Sequence, residues 1–285
     1  MRIVHIIPGV DPGASERLLL EHEKAIESSS LAAKQFLSLQ HSLRVCRVID
    51  PAWLGQGGAM VETVLTPVEV IKIGNMRGIR PRLSSFFPDE LIENSDLIIF
   101  TNSDICVAPD FYNKVIEIVD SGTLAGSIHR KTVLGVEPGE TDSLLIAHGS
   151  PNWYQHPGSD CFFFPTSSAR ILRSNRLYMG VPPVGRSVVV ALIALNPSYK
   201  TFRSLGLTLH FGNDMVWSTT KDLVRFRERN TVYWFFFLVK IYRVAGRRNL
   251  LHALNTMPWR GPFKLSFLIS KFLNAFVNVV LQVRK

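Results

Sequence analysis

Cysteine is scarce in this chain. Cys46, Cys106 and Cys161 are odd in number and far apart, which excludes a disulfide framework and a thiolate zinc site and points to reduced thiols in a cytosol. No run of 18 or more apolar residues is free of charge, so no transmembrane helix is expected. The start, Met1 to Pro8, has an apolar run too short for a signal peptide and reads as a first strand. There is no internal repeat and no low-complexity tract. Gly55-Gln56-Gly57-Gly58 lacks a framing strand and helix, so it is a loop and not a dinucleotide fingerprint.

Acid is scarce in one place only. Residues 221–285 hold 13 Lys/Arg against 2 Asp/Glu, whereas residues 1–220 hold 19 against 21. The basic region interleaves its charge with bulky apolar residues, unlike nucleic-acid modules. An anionic membrane surface is therefore the expected partner and nucleic acid is not. Lys264 to Lys285 reads as a basic amphipathic helix, which either lies in a membrane interface or covers a core. The same choice applies to the aromatic run Tyr233 to Val239. The domain expectation follows: residues 1–220 form one α/β domain and 221–285 a basic helical extension.

What is present is a core. At 46% hydrophobic, the 285 residues can bury a large one. Residues 2–7 read as a strand, followed by a helix capped by Ser15 and running to about Glu27. Gln35 to Leu39 and Arg44 to Ile49 read as strands, and 51–62 as loop. A short helix starts near Pro88, a buried strand follows at 96–100, and a helix opens at Pro109. Thr123 to His129 reads as a strand, and 135–159, with its Gly and Pro residues, as a long irregular region. Cys161 to Pro165 reads as a compact strand, and 167–172 and 187–195 as helices. This alternation predicts an α/β fold with a mainly parallel central sheet flanked by helices.

The chemistry sits at the strand ends. Thr101-Asn102-Ser103-Asp104-Ile105 follows the buried strand, where ligands of α/β sheets bind. Asp104 either caps its turn or offers a hard oxygen ligand to Mg²⁺ or Mn²⁺. Asn102, two residues earlier, can face the same ligand. His210, within Thr208-Leu209-His210-Phe211-Gly212-Asn213-Asp214, is either structural or completes that metal shell. Asp160 directly precedes four apolar residues, so it lies at a strand mouth or is paired. There it caps, forms a salt bridge, binds sugar hydroxyls or accepts a proton. Arg80 and Arg82 suit phosphate recognition or are ordinary surface arginines, and Arg130 is a weaker case of the same kind.

Together these segments resemble GT-A-fold glycosyltransferases of bacteria over roughly residues 2–215. Asp96 to Phe111 is similar to their diphosphate-metal segment. Gly158-Ser159-Asp160-Cys161-Phe162-Phe163-Phe164 is similar to a Gly-x-Asp-x-Phe-x-Phe element, followed by Pro182-Pro183-Val184-Gly185-Arg186 and then His210 and Asp214. Ile79-Arg80-Pro81-Arg82-Leu83 is similar to a basic segment before the metal strand. The resemblance implies transfer of a sugar from a nucleotide diphosphate donor to a glycan or lipid-linked acceptor at the cytoplasmic face of a membrane. It implies Mn²⁺ or Mg²⁺ held by Asp104 and His210, and donor contacts from Pro8, Arg80, Arg82, Asn102 and Asp104. Asp160 serves as acceptor binder or base, with Asp214 the runner-up base. Two departures stand out. Asn102 occupies the first acidic position of the metal turn, and Val188-Val189-Val190-Ala191 stands where many relatives carry a Trp-Asp pair. The second departure favours a rival reading, a silent relative that binds a glycan or partner. A further rival is a peripheral membrane protein using its basic tail.

Overall fold

The structure is a computed structural model. It describes residues 1–11, 14–36, 40–49, 69–72, 81–140, 142–212 and 221–256. The chain divides into two compact units, one of residues 1–75, 89–166 and 198–214, the other of 76–88, 167–197 and 215–285.

The first unit is built on a nine-stranded sheet in the order β3-β2-β1-β4-β7-β6-β9-β5, with β8 beside β6. The strands are β1 Arg2–Pro8, β2 Ser42–Ile49, β3 Glu69–Lys72, β4 Leu97–Thr101, β5 Cys106–Val107, β6 Gly126–Val133, β7 Trp153–Pro165, β8 Lys200–Phe202 and β9 Thr208–Phe211. β1 pairs in parallel with β2 and β4, β2 with β3, and β6 with β8 and β9. β7 is antiparallel to both β4 and β6, and β5 is antiparallel to β9. The expected mainly parallel sheet is thus present, with antiparallel insertions. β4 is buried along its whole length, as its unbroken apolar run requires.

Among the described residues, this unit holds α1 Glu16–Lys34, α2 Asp89–Glu93, α3 Phe111–Asp120 and α4 Ser143–Gly149. Ser15 caps α1 through its Oγ, which accepts from Leu18 N at 3.4 Å. Alternate residues of the strands face one way. Ile3, Ile7, Leu97, Ile99, Cys161 and Phe163 pack there against Ala32 of α1 and Phe111, Tyr112, Val115 and Ile116 of α3. A second cluster joins Ala25 of α1 and Ala147 of α4 to Cys106, Val133, Leu209 and Phe211.

Two sequence expectations fail here. α1 continues to Lys34, so Gln35 and Phe36 leave a helix and do not enter a strand; Leu37 to Leu39 lie outside the described residues. The region 135–159 is not one irregular loop, because it contains α4 and the first half of β7. Pairing there jumps from His129↔Ser159 to Lys131↔Gln155, so an irregularity accommodates Pro157 and Gly158 within the strand.

The second unit holds α6 Val184–Leu195, most of α5 Thr166–Leu172, and α7 Lys221–Thr256. α7 breaks at Gly246, whose φ of 81° and ψ of 164° suit glycine alone. Buried Asn230 fixes α7: its Oδ1 accepts from Tyr178 N at 2.7 Å, and its Nδ2 donates to the carbonyls of Tyr178 and Val181, each at 3.0 Å. Among the described residues, no helix is long and apolar enough to cross a membrane.

Candidate functional site

β1 lies between β2 on one side and β4 on the other, so the strand order reverses at β1/β4. Crevices at such a reversal, outside the carboxyl ends of the strands, are where open α/β sheets bind ligands. Pro8 ends β1 and Asn102 follows β4, each two residues beyond the paired Ile6 and Phe100.

Three elements deliver a polar cluster around the turn that follows β4. Glu21 comes from α1, Asp104 from the turn between β4 and β5, and His210 from β9. One ligand atom from each lies within 4.8 Å of the others. His210 Nε2 is 3.1 Å from Asp104 Oδ2 and 3.9 Å from Glu21 Oε2. The other ring nitrogen, Nδ1, is 3.1 Å from the Gly212 carbonyl, which can only accept. Nδ1 therefore carries a proton, and in a neutral ring Nε2 presents its lone pair to two carboxylates. Such an arrangement needs a second proton or a cation at Nε2. Asp104 Oδ1 is buried without a hydrogen-bond partner. A bare imidazole nitrogen, an orphaned carboxylate oxygen and a second carboxylate together fit a divalent cation.

The electrostatics agree with a site poised between proton and metal. Burial opposes charge on His210, but the hydrogen bond and charge of Asp104 outweigh it and hold the ring above its usual value. For Asp104, burial opposes ionisation and the His210 hydrogen bond overcomes it, holding the carboxyl below its usual value. Burial pushes Glu21 up. Arg17 restrains Glu21, donating from Nε to its Oε1 at 3.1 Å, and reaches Glu137 at 3.3 Å. Gly212 makes room for that guanidinium. It sits at a φ of +68°, and a Cβ there would run into Arg17 Nη2.

Asp160 and Asn102 form a second polar group, joined by Arg130. Asn102 Nδ2 donates to Asp160 Oδ1 at 2.7 Å, and Asn102 N donates to the Asp160 carbonyl at 2.9 Å. Arg130 Nη1 is 3.2 Å from Asp160 Oδ2. His156 accepts from Gly158 N through Nδ1 at 2.9 Å, and burial with Arg130 nearby keeps this ring neutral, below its usual value. Asp160 lies inside β7 and not at its mouth, one residue past the last pairing with β4, and it is paired with Asn102 and Arg130. Next to Asp104, His22 donates from Nδ1 to the Ser103 carbonyl at 2.8 Å and steadies the turn; burial lowers its pKa to about 4.

The structure thus brings Asp104 to His210 and Asn102 to Asp160. Arg82 lies in the second unit, its guanidinium carbon 5.5 Å from the ring centres of both Tyr178 and Tyr233. Arg80 and Asp214 lie outside the described residues, as does Lys264 to Lys285. Glu21 escaped the sequence reading. Its signal was available: Glu21, Ala25, Ser28 and Ala32 share one helical stripe, and all four are buried. An acid on a buried stripe needs a partner.

No family model matches the chain, and no curated protein matches it in sequence. Among solved structures, S. aureus TarS 1–349 in complex with UDP-GlcNAc has a TM-score of 0.51 at 12% identity, covering 96% of this chain and 79% of that one. S. aureus TarS 1–349 in complex with UDP has a TM-score of 0.49 at 11% identity, covering 96% and 81%. The first of these likenesses shows the architecture: this chain has a glycosyltransferase-like α/β fold.

Proposed function

We propose that this protein is a glycosyltransferase that moves a sugar from a nucleotide diphosphate sugar to a glycan or lipid-linked acceptor. The observation that carries the proposal is the meeting of Glu21 and His210 with Asp104, which lies in the turn that follows β4. The similar TarS structure was obtained in complex with UDP-GlcNAc, which supports a nucleotide sugar as the donor class. Asp104 and His210, with Glu21, would hold Mn²⁺ or Mg²⁺. Such an ion neutralises charge on a diphosphate leaving group.

The chain's own groups do the rest. Arg17 keeps Glu21 aimed at His210. Gly212, through its carbonyl, fixes the His210 ring so that Nε2 faces the carboxylates. Pro8 and Asn102 border the donor edge. As the acceptor hydroxyl bonds to the anomeric carbon and the bond to the diphosphate breaks, a carboxylate takes the hydroxyl proton. Asp160 is assigned that role or acceptor binding, with Asp214 its alternate as base. We assign transfer to residues 1–220 and surface attachment to 221–285, at the cytoplasmic face of an anionic membrane.

A second reading has its own observation. Val188 to Ala191 lie in α6 and are buried, so no carboxylate stands where the resemblance expects one. A silent, ligand-binding relative follows if Asp160 and Asp214 do not replace it. Calorimetric titration with a panel of nucleoside diphosphates, with and without Mn²⁺, tests the donor site. Metal-dependent binding lost in Asp104→Ala and His210→Ala is expected. A folded protein that binds no nucleotide would sink the donor site. Nucleotide binding without sugar transfer to any acceptor would leave the silent reading.

A further inference from the structure

One row of residues crosses four strands of the first unit. Thr101 of β4 pairs with Cys161 of β7, Cys161 with Ile128 of β6, and Ile128 with Phe202 of β8. One residue further toward the carboxyl ends of β4, β6 and β8 stand Asn102, Asp160, His129 and Arg203. That edge is where open α/β sheets bind ligands. β8 is three strands from β4, about 14 Å at the usual strand spacing, so Arg203 stands apart from the donor edge.

The sheet is polar beside this row. Ile128 and Phe202 pack into the core on one face, so Ser127, His129 and Thr201 alternate to the other. Ser127 Oγ accepts there from Tyr199 Oη at 2.7 Å and from Ser159 Oγ at 3.2 Å, and donates to Thr201 Oγ1 at 3.4 Å. Thr201 and Arg203 are exposed, so this run of hydroxyls opens to solvent at β8.

The charge balance leaves a cation at the open end. Asp160 is the carboxylate of the row, and Arg130 already balances it at 3.2 Å. Burial holds His129 and His156 below their usual values, with Arg203 adding to the effect on His129 and Arg130 on His156. Among the described residues, no carboxylate pairs with Arg203. A neutral glycan would use the hydroxyls and leave this guanidinium idle. A nucleic-acid strand would need rings to stack on, and Tyr199 is turned onto Ser127. A hydroxyl-rich ligand bearing phosphate or carboxylate uses both, since a guanidinium meets either group with two parallel hydrogen bonds.

We infer that this row is an acceptor subsite, and that the acceptor is a hydroxyl-rich chain with an anionic group, phosphate or carboxylate, held by Arg203. Its place as acceptor ground rests on the proposed function, through Asp160; the anion site itself does not.

The test uses the full chain in EDTA, which silences a metal-dependent donor site. Saturation-transfer NMR reads three probes: glucose 6-phosphate, glucuronate and glucose. Binding of one or both anions, with glucose at least tenfold weaker, is expected, and the anion that binds names the group. Arg203→Gln should weaken that binding roughly tenfold, and Arg203→Lys should restore part of it. Arg203 is exposed, so both variants should fold, and circular dichroism verifies this. Glucose bound as well as the anions, neither anion bound, or Arg203→Gln binding as wild type does would overturn the inference. So would single-stranded DNA bound tightly by the wild type and released by Arg203→Gln. Nucleoside diphosphate titration with Mn²⁺ separates the two ideas. Anion binding through Arg203 without nucleotide binding keeps the anion site and sinks the donor site, and the reverse result sinks the anion site alone.

Discussion

The proposed site predicts that Mn²⁺ raises the thermal stability of this protein and that replacing Asp104 with Asn abolishes most of the gain. The argument starts from one nitrogen. His210 Nδ1 donates to the Gly212 carbonyl, so Nε2 faces Asp104 at 3.1 Å with either a proton or a cation between them. An ion bound only by the folded chain adds about 2.7 kcal/mol when present at a hundred times its Kd. For a chain of this size that raises Tm by about 5–10 °C. Asp104→Asn keeps the shape but removes a charge. A hundredfold loss of affinity would leave about 0.4 kcal/mol, a shift of about 1 °C. Thermal unfolding in EDTA and then in Mn²⁺, at fixed ionic strength, reads both numbers. pH gives an independent check. The folded state holds His210 above its usual value, so in EDTA the protonated ring contributes stability below about pH 6.5 that is lost as pH rises through the raised value. The Mn²⁺ increment should run the other way and grow with pH, because proton and ion compete for Nε2. No Mn²⁺ shift in the wild type, an equal shift in Asp104→Asn, or two slopes of the same sign would refute the reasoning.

Other residues yield sharper tests of the scaffold. Burial holds His5 neutral, with a pKa lowered to about 3, so its contribution is complete above pH 6.5 and is lost as pH falls toward 3. The loss should reach about 2 kcal/mol at pH 5, and urea midpoints of wild type and His5→Asn at pH 7 and 5 measure it. Arg130→Met should cost about 3 kcal/mol by leaving Asp160 a poorly compensated charge, and adding Asp160→Asn should recover much of it in a double-mutant cycle. Asn230→Leu should cost about 3 kcal/mol in urea unfolding, because it strands the N–H and carbonyl of Tyr178 and leaves the Val181 carbonyl with only its bond from Val184 N. Gly212→Ala should destabilise by about 1–3 kcal/mol through its positive φ and its clash with Arg17, and should weaken Mn²⁺ binding with it.

The sequence was most legible where one period ran unbroken. β4 is apolar from Leu97 to Phe100 and α6 from Val188 to Leu195, and α3 repeats its apolar residues at helical spacing. It was least legible where a tertiary partner overrode a local signal. Pro157 and Gly158 read as breakers, yet β7 carries them through an irregular step opposite Arg130. Ser28, Ser29 and Ser30 are poor helix formers, yet α1 runs through them. Ser28 shows why: its hydroxyl donates to Ala25 O and accepts from Val107 N, tying the helix to β5. Asp104 and His210 were each ambiguous alone, since neither is polar in an unusual way. Their meeting depends on β5 pairing with β9, a contact across about a hundred residues that no local pattern encodes.

Asn102 gains a physical reason from this geometry. Its amide nitrogen lies 2.7 Å from Asp160 Oδ1, and Arg130 lies on the other oxygen. An Asp at 102 would set two carboxylates against each other there, and one guanidinium would have to serve both. The amide instead donates to Asp160 and leaves Arg130 to balance it. The acidic pattern of the metal turn is thereby broken locally, and in the proposed site it is restored from another element. Glu21 brings a second carboxylate to His210 from α1, with Arg17 to hold it. A charge missing from the turn after β4 is therefore no argument against a cation at Asp104. The argument against activity rests on α6 alone, where Val188 to Ala191 are buried and offer no base. In the proposed function metal binding and catalysis would then fail separately, because separate elements would carry them.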